Sequence, residues 1–476
     1  MKKEPKNQEL NFAHFIGIGG ISMSALARYF VARGMRVSGS DIVSSEVTKE
    51  LRKEGIQVVI GHKQNNIKKG VDLVVYNRAI EPSNPELIAA KRLGIKTIPL
   101  ADAIGELTRQ YETIAITGAH GKSTTTALIG LILARASLNP TVFVGTNLKE
   151  FGGKNIRIGK SSYLVLEADD FDRAFLRYSP TIEVITNIDS EHLDTYKNLA
   201  GARKAFLEFI ALTIPGGALV LNRDNENLSS LAKDIQKIAH KNNLNILWYS
   251  LKNQAAKKIK KVIRIPGEHN VSNAVAAYTL AHSLGIHEKI ILAAIAAYRG
   301  SWRRFEYRGE FEVKSYKLKI KSPVYDDYAH HPTEVKATLQ GFKERFPNKN
   351  IICVFQPHQG LRLRLLFDEF IRAFDAADTV IITSIYKVPG RDETLNELFS
   401  PEALVRAMQK KYPRKPIFYL SNFKNLKNAI NILMTEPPVC GLPAGSPAPK
   451  IKPAVIVMTG AGDIVQYTDT LLNPKP

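Results

Sequence analysis

Short apolar runs recur along the chain, and most are followed by a longer segment with apolar residues at helical spacing. That alternation predicts an α/β architecture built on parallel sheets. Three units separate. In the first, which runs to about residue 108, Phe12–Ile18 reads as a strand, Ile21–Arg33 as a helix, and Met35–Ser40 and Val71–Tyr76 as further strands. The second opens with the strand Thr113–Thr117, a glycine turn and a helix from about Lys122 to Arg135. It continues through strands Tyr163–Glu167 and Ile182–Thr186 to a helical region, Val271–Tyr298. The third begins near Arg308 and holds strands Pro323–Asp326, Asn350–Phe355, Thr379–Thr383 and Ala454–Val457. The Pro- and Gly-rich stretch 437–453 is expected to be a surface loop before the last strand. The expected domains are therefore 1–108, 109–307 and 308–476.

Composition narrows this picture. At 476 residues the chain is too long for one hydrophobic core, and its 44% apolar content is ordinary for a globular protein. No apolar run reaches the roughly 18 residues that a membrane span needs. The basic start is not followed by an apolar stretch before the first glycines, so no export signal is expected. Two cysteines, Cys353 and Cys440, form neither a disulfide framework nor a metal-binding spacing, and a cytoplasmic enzyme is expected. Lys and Arg outnumber Asp and Glu by 66 to 45, a net charge of +21. A nucleic-acid partner is one reading of that excess. The bases are scattered, however, and the densest cluster, Lys257-Lys258-Ile259-Lys260-Lys261, has no interleaved aromatic residue. A generally basic surface that meets phosphate-bearing substrates is favoured, with no nucleic-acid partner. The oligomeric state stays open.

The sharpest chemistry lies in the turn Thr117-Gly118-Ala119-His120-Gly121-Lys122-Ser123-Thr124-Thr125, between a strand and a helix. Glycines let backbone N–H groups curl around phosphate oxygens, and the helix N-terminus adds favourable partial charge. Lys122 is placed to reach the β- and γ-phosphates of ATP, and the Ser123 hydroxyl to meet Mg²⁺. The match to the common P-loop is incomplete, because Ile116 stands where that motif has its first Gly. The alternative is an ordinary glycine turn. A carboxylate for the metal is available in Glu167-Ala168-Asp169-Asp170, at the end of a predicted strand, where ligands of α/β sheets bind. His192, after the strand ending near Thr186, is a second candidate ligand. Asp170 and Asp172 also read as helix N-caps, and a single His as a structural one.

A second glycine turn, Gly17-Ile18-Gly19-Gly20-Ile21-Ser22, follows the first strand, with Asp41 closing the second. It looks like a dinucleotide fingerprint with Ser22 in place of the third glycine, so an NAD(P)-dependent oxidoreductase competes here. The physics needs only a diphosphate, and a UDP group serves as well. A second nucleotide site at Gly118 favours a substrate with its own diphosphate, used together with ATP.

In order, the sequence carries His14-Phe15-Ile16-Gly17-Ile18-Gly19-Gly20 with Met23-Ser24, Ser38-Gly39-Ser40-Asp41, the turn 117–125, Glu167-Ala168-Asp169-Asp170-Phe171-Asp172, and Thr186-Asn187-Ile188-Asp189 with His192-Leu193-Asp194-Thr195-Tyr196. Further on come Gly267-Glu268-His269-Asn270 with Asn273, Arg304-Phe305-Glu306, the segment Asp326-Asp327-Tyr328-Ala329-His330-His331-Pro332-Thr333-Glu334, Phe355-Gln356-Pro357-His358 with Arg362, and Gly460-Ala461-Gly462-Asp463. In this order the motifs resemble the Mur ligase family over nearly the whole chain. The resemblance implies a Rossmann-like UDP-binding domain, a central P-loop-type ATPase domain and a C-terminal Rossmann-like domain. It implies ATP and Mg²⁺ as cofactors, and UDP-N-acetylmuramic acid and L-alanine as the molecules joined. Under it, Gly17, Gly19, Gly20, Ser22, Met23, Ser40 and Asp41 meet the UDP sugar. ATP falls to Gly118, Ala119, His120, Gly121, Lys122, Ser123, Thr124, Asn270, Asn273, Arg304 and Asp326. Metal ligands are Ser123, Glu167 and His192. His358 and Arg362 place the amino acid, and Lys122, His192, His330 and Arg362 are implied to be catalytic. The sequence departs from the family pattern at Ala119 and Ser123, where Thr is usual, and at Gly360-Leu361, next to the expected amino-acid site. Related ligases that add a peptide or glutamate share much of this pattern.

Overall fold

The computed structural model describes residues 10–191, 193–315, 318–386, 397–435 and 453–472. Three sheets follow one another along the chain. The first has five parallel strands, β1 (Phe12–Ile16), β2 (Arg36–Asp41), β3 (Gln57–Ile60), β4 (Leu73–Tyr76) and β5 (Lys96–Pro99), in the order β3-β2-β1-β4-β5. The second has seven: β6 (Glu112–Thr117), β7 (Thr141–Leu148), β8 (Lys154–Arg157), β9 (Tyr163–Glu167), β10 (Ile182–Ile185), β11 (Ala218–Asn222) and β12 (Asn245–Tyr249). Their order is β12-β11-β10-β6-β9-β7-β8, with β8 antiparallel to β7. The third comprises β13 (Glu306–Ser315), β14 (Leu318–Asp327), β15 (Asn350–Phe355), β16 (Thr379–Thr383), β17 (Ile417–Leu420) and β18 (Ala454–Thr459), ordered β13-β14-β18-β15-β16-β17 with β13 antiparallel. The expected α/β class with three sheet-containing domains is what the structure has.

By contact, the chain divides into two compact units, residues 1–262 with 272–298, and 263–271 with 299–476. In the first unit the first two sheets share one continuous core. Helix Ile21–Ala32 is what joins them. Its Arg28 is buried, pairs with Glu54 and, across the joint, donates to Asn155 Oδ1 at 2.7 Å. Asn155 in turn donates to the Ile21 carbonyl and to Ser24 Oγ. A buried guanidinium needs such partners, because each unmet donor costs about 1–3 kcal/mol.

Parallel strands covered on both faces read as unbroken apolar runs, and β1, β15 and β18 are buried almost throughout. Where expectation and structure differ, local chemistry gives the reason. The first strand stops at Ile16 rather than Ile18, because Gly17 turns the chain at φ +82°. The helical region 271–298 is two helices, Glu268–Ser283 and Glu288–Ala297, broken at Gly285 (φ +76°). The strand expected at Pro323–Asp326 is the end of β14, which pairs with β13 in a long antiparallel hairpin. Charges hid it: Lys321 lies on an exposed face within 3.5 Å of Glu310 and Glu312 across the pair. Of the stretch 437–453, all but the last residue lies outside the described residues. No described helix is long and apolar enough to cross a membrane.

Glu183 on β10 is fully buried. One carboxyl oxygen accepts from Thr213 Oγ1 at 2.7 Å and the other has no hydrogen-bond partner. Burial pushes its pKa up to about 8, against the lowering effect of the Thr213 hydroxyl. A folded-state pKa above the unfolded value means that stability is lost as pH rises from the ordinary carboxylate range towards 8. We therefore expect Glu183→Gln to melt close to the parent protein at pH 5 and about 4 °C or more above it at pH 8. Melting curves at the two pH values test this, and an equal shift at both would refute it.

Candidate active site

The first glycine turn lies at the carboxyl ends of β1 and β2. Gly17 and Ile18 donate their N–H groups to the Ser40 carbonyl at 2.8 and 3.0 Å, and Gly19 donates to Asp41 Oδ2 at 2.8 Å. A side chain at Gly19 would press on that same oxygen. The dehydrogenase reading needs Asp41 for a ribose hydroxyl, whereas here the carboxylate braces the turn. The anion-facing donors are then the first-turn amides of the following helix, at Ile21, Ser22 and Met23, which helix geometry leaves without an intrahelical acceptor. Gly20 is the N-cap residue. The Ser40 hydroxyl is committed elsewhere, donating to Glu86 Oε2 at 2.6 Å. Glu86 is fully buried and also meets His14 Nε2 at 3.2 Å and Asn66 Nδ2 at 2.5 Å. Burial alone would raise its carboxyl, but the hydrogen bonds from His14, Ser40 and Asn66 hold it below its ordinary range.

The second glycine turn joins β6 to helix Lys122–Arg135. Gly118 (φ +134°) and Gly121 (φ +83°) take conformations that side chains resist. A Cβ on Gly118 would overlap Thr186 Oγ1, and one on Gly121 the Asn273 side chain, so both neighbours pack directly on the loop. The His120 carbonyl accepts from Thr186 Oγ1 (2.6 Å) and Asn187 Nδ2 (2.9 Å), while His120 N donates to Asn187 Oδ1 (2.8 Å). The residues after β10 thereby set the loop's shape. The Lys122 ammonium donates to the Gly118 and Ala119 carbonyls (2.6 and 3.2 Å) and to Asp170 Oδ1 (2.8 Å). Burial would lower its pKa, but Asp170, Asp169 and Glu167 together hold it well above the usual lysine value. Asp170 is thus the partner of Lys122, and its side chain makes no helix cap. Ser123 and Thr124 are buried at the start of the helix.

Because β9 pairs with β6, with Glu167 opposite Ile116, the β9 carboxylate arrives beside the loop. Glu167 Oε1 accepts from Ser123 Oγ at 2.9 Å and Oε2 from Gly145 N at 2.6 Å. A hydroxyl and a carboxylate oxygen side by side form a hard-oxygen donor set that fits Mg²⁺, which keeps its remaining positions for water and phosphate oxygens. His192 lies outside the described residues.

In the second unit, three groups gather after β14, β15 and β16. The His330 ring meets Tyr328 edge-on and lies 5.8 Å from the His358 ring, which stacks on Tyr386 at 5.5 Å. Arg362 Nη1 reaches His358 Nδ1 at 3.3 Å. Arg304 lies over the Tyr328 ring, 4.9 Å from its centre. His331 caps helix Pro332–Arg345 together with Glu334. Asp326 pairs with Arg308 and Thr468, and burial pushes its pKa up to about 6. Asp327 accepts from Phe305 N, Ala329 N and Thr338 Oγ1, and so ties the strand end together. Asn270 donates to the Pro266 carbonyl at 2.6 Å. Sequence reasoning missed Asp170 as the lysine's partner, and it missed Tyr386. The latter sits just past β16, where the strand-end rule that located Glu167 could have found it.

A phosphate-cradling loop with its lysine, hydroxyl and strand-end carboxylate, in one chain with a second glycine turn at the end of another parallel sheet, defines a nucleotide-using α/β enzyme. Family models match three consecutive segments: the Mur ligase family catalytic domain over 13–112, the Mur ligase middle domain over 116–281 and the Mur ligase glutamate ligase domain over 303–442. The chain belongs to the Mur ligase family. It is 36% identical to UDP-N-acetylmuramate–L-alanine ligase of Sulfurihydrogenibium sp. over 96% of both chains. To the enzyme of that name from Acetivibrio thermocellus it is 37% identical over 97% of this chain and 96% of the other. Among solved structures it resembles UDP-N-acetylmuramate-alanine ligase from Thermotoga maritima, with a TM-score of 0.74, 27% identity and coverage of 97% and 98% of the two chains. Replacing Glu167 by Gln removes the carboxylate charge beside Ser123 while keeping the shape. We expect nucleotide-dependent turnover to fall at least about 100-fold at saturating substrate. A steady-state assay that found kcat within a few-fold of the parent would remove Glu167 from the metal site.

Proposed function

We propose that this chain is an ATP-dependent ligase that joins L-alanine to the carboxylate of UDP-N-acetylmuramic acid, in the synthesis of peptidoglycan precursors in the cytoplasm. The observation that carries this reading is the Lys122–Ser123–Glu167 site in a chain that matches, over almost its full length, relatives bearing that name. We assign residues 1–108 to UDP-sugar binding, 109–307 to ATP binding and 308–476 to amino-acid binding.

Lys122 exchanges Asp170 for the β- and γ-phosphates. The loop amides from Gly118 to Thr124 then hold the phosphate oxygens, with Asn273 packed against Gly121 and Asn270 one turn away on the same helix. Ser123 and Glu167, with His192 by family resemblance, would hold Mg²⁺, which when bound neutralises charge on the phosphoryl oxygens. The acceptor carboxylate attacks the γ-phosphorus in line, giving an acyl phosphate and ADP. The amine of alanine attacks the acyl carbon, and the tetrahedral adduct collapses to the amide and phosphate. Arg362, His358 and His330 orient the amino acid, and Arg304 with Asp326 borders the nucleotide. The barrier falls mainly by positioning and charge compensation. An acyl phosphate hydrolyses easily, so the reacting centre must exclude water.

Alanine is the substrate with least side chain to read, and Gly360-Leu361 departs from the family beside His358. ADP release measured with UDP-N-acetylmuramate and each of Ala, Gly and Ser tests the choice: alanine should give the highest kcat/KM. Turnover only with a tripeptide would transfer the chain to a peptide-adding branch. Lys122→Ala should abolish ADP release yet leave UDP-sugar affinity unchanged, and near-normal turnover of that variant would refute the ATP site.

A further inference from the structure

The strand order β3-β2-β1-β4-β5 reverses direction between β1 and β4, and α/β sheets bind ligands at such a switch point. Ile16 pairs with Tyr76 in register, so the residues that follow, Gly17 and Asn77, stand side by side at the crevice. A Cβ on Gly17 would lie 2.8 Å from Asn77 Nδ2. Asn77 folds the chain into a tight turn, its side chain accepting from Ala79 N at 2.9 Å and its carbonyl from Ile80 N at 3.1 Å. Arg78 projects from the tip of that turn and is 74% exposed. Its guanidinium pairs with Asp172, which belongs to the second sheet's domain and lies five residues beyond Glu167 in the sequence.

Two features of this pair point to a ligand. First, the amides of Gly17, Ile18, Gly19 and Gly20 are already engaged by Ser40, Asp41 and the Gly17 carbonyl. The glycine turn therefore offers an anion only the first-turn amides that follow, and a diphosphate needs a full positive charge as well. Secondly, Asp172 and its neighbour Arg173 stand at φ +55° and +58°, conformations that cost a non-glycine residue free energy and collect at functional sites. The carboxylate is thus held where it is by the backbone. An ion pair this exposed is weak, whereas a guanidinium on phosphate oxygens makes short, paired, charge-assisted bonds.

We propose that Arg78 is a diphosphate-binding residue of the acceptor site, and that Asp172 competes with the diphosphate for it. The proposal rests on the reading of the glycine turn at 17–20 as the acceptor's diphosphate site. Binding of the acceptor then moves the guanidinium from Asp172 to the diphosphate and leaves Asp172, two residues from the lysine's partner Asp170, without that cation. The two substrate sites are in this way linked through one side chain.

The test uses two variants that break the same ion pair. Arg78→Ala should weaken UDP binding by at least about tenfold. Asp172→Asn should tighten it about two- to fivefold by removing the competitor. Uridine, which lacks phosphates, should bind all three proteins alike, and Arg78→Lys should recover part of the lost affinity for UDP. Titration calorimetry of the full-length protein with UDP and with uridine reads each of these. If Arg78 only braces the two domains, both variants weaken UDP binding, and that result overturns the proposal, as does wild-type affinity in Arg78→Ala. Failure of UDP to bind the unmodified protein would instead overturn the acceptor-site reading itself.

Discussion

An ammonium group drawn into a protein interior needs a counter-charge, and the phosphate loop is organised around that requirement. Lys122 meets it through Asp170, with two loop carbonyls completing its coordination. Everything nearby follows from holding this cation in place without fixing it permanently. Glu167 is braced by Ser123 and Gly145. Thr186 and Asn187 hold the loop's shape through His120, by contacts that do not involve the ammonium. The lysine is thereby free to change partners while the cradle stays rigid, which is the preorganisation that phosphoryl transfer depends on.

Much of this was legible in the sequence, and the reason is physical. The helix Lys122–Arg135 and the strands Tyr163–Glu167, Asn350–Phe355 and Thr379–Thr383 coincide with their expected bounds, because buried parallel strands and a buried helix carry long apolar runs with sharp ends. The placement of Glu167 beside the loop followed from its position at a strand end. What could not be read depends on three-dimensional turns. Asp170 reaches Lys122 across 48 residues of sequence, from the irregular segment after β9, where no periodic pattern marks it. Glu86 looks like an ordinary exposed helix residue in sequence, yet it is fully buried among His14, Ser40 and Asn66. The hairpin of β13 and β14 was obscured by charges that pair across its exposed face.

The second unit shows the same division. The motifs after β14 and β15 marked His330, His358 and Arg362, while the aromatic surface that supports them, Tyr328 and Tyr386, emerges from the fold. Histidine rings packed against aromatic faces are held in orientation at little entropic cost. His331, adjacent in sequence to His330, turns instead to cap a helix. Adjacent side chains of one type can thus have unrelated tasks, one packing among aromatic rings and the other completing a secondary structure.

The joint at Arg28 and Asn155 bears on how the chain can be taken apart. Residues from the first and second sheets belong to one apolar cluster, and the helix Ile21–Ala32 faces both. Cutting the chain near residue 110 would uncover that cluster on both fragments and strand a guanidinium in the face of one of them. A free-standing first sheet would then tend to associate with itself. The first two sheets are separate in topology, while mechanically they form one body. Natural exchange of the first sheet's portion between related enzymes would have to carry matching changes at Arg28, Asn155 and their neighbours.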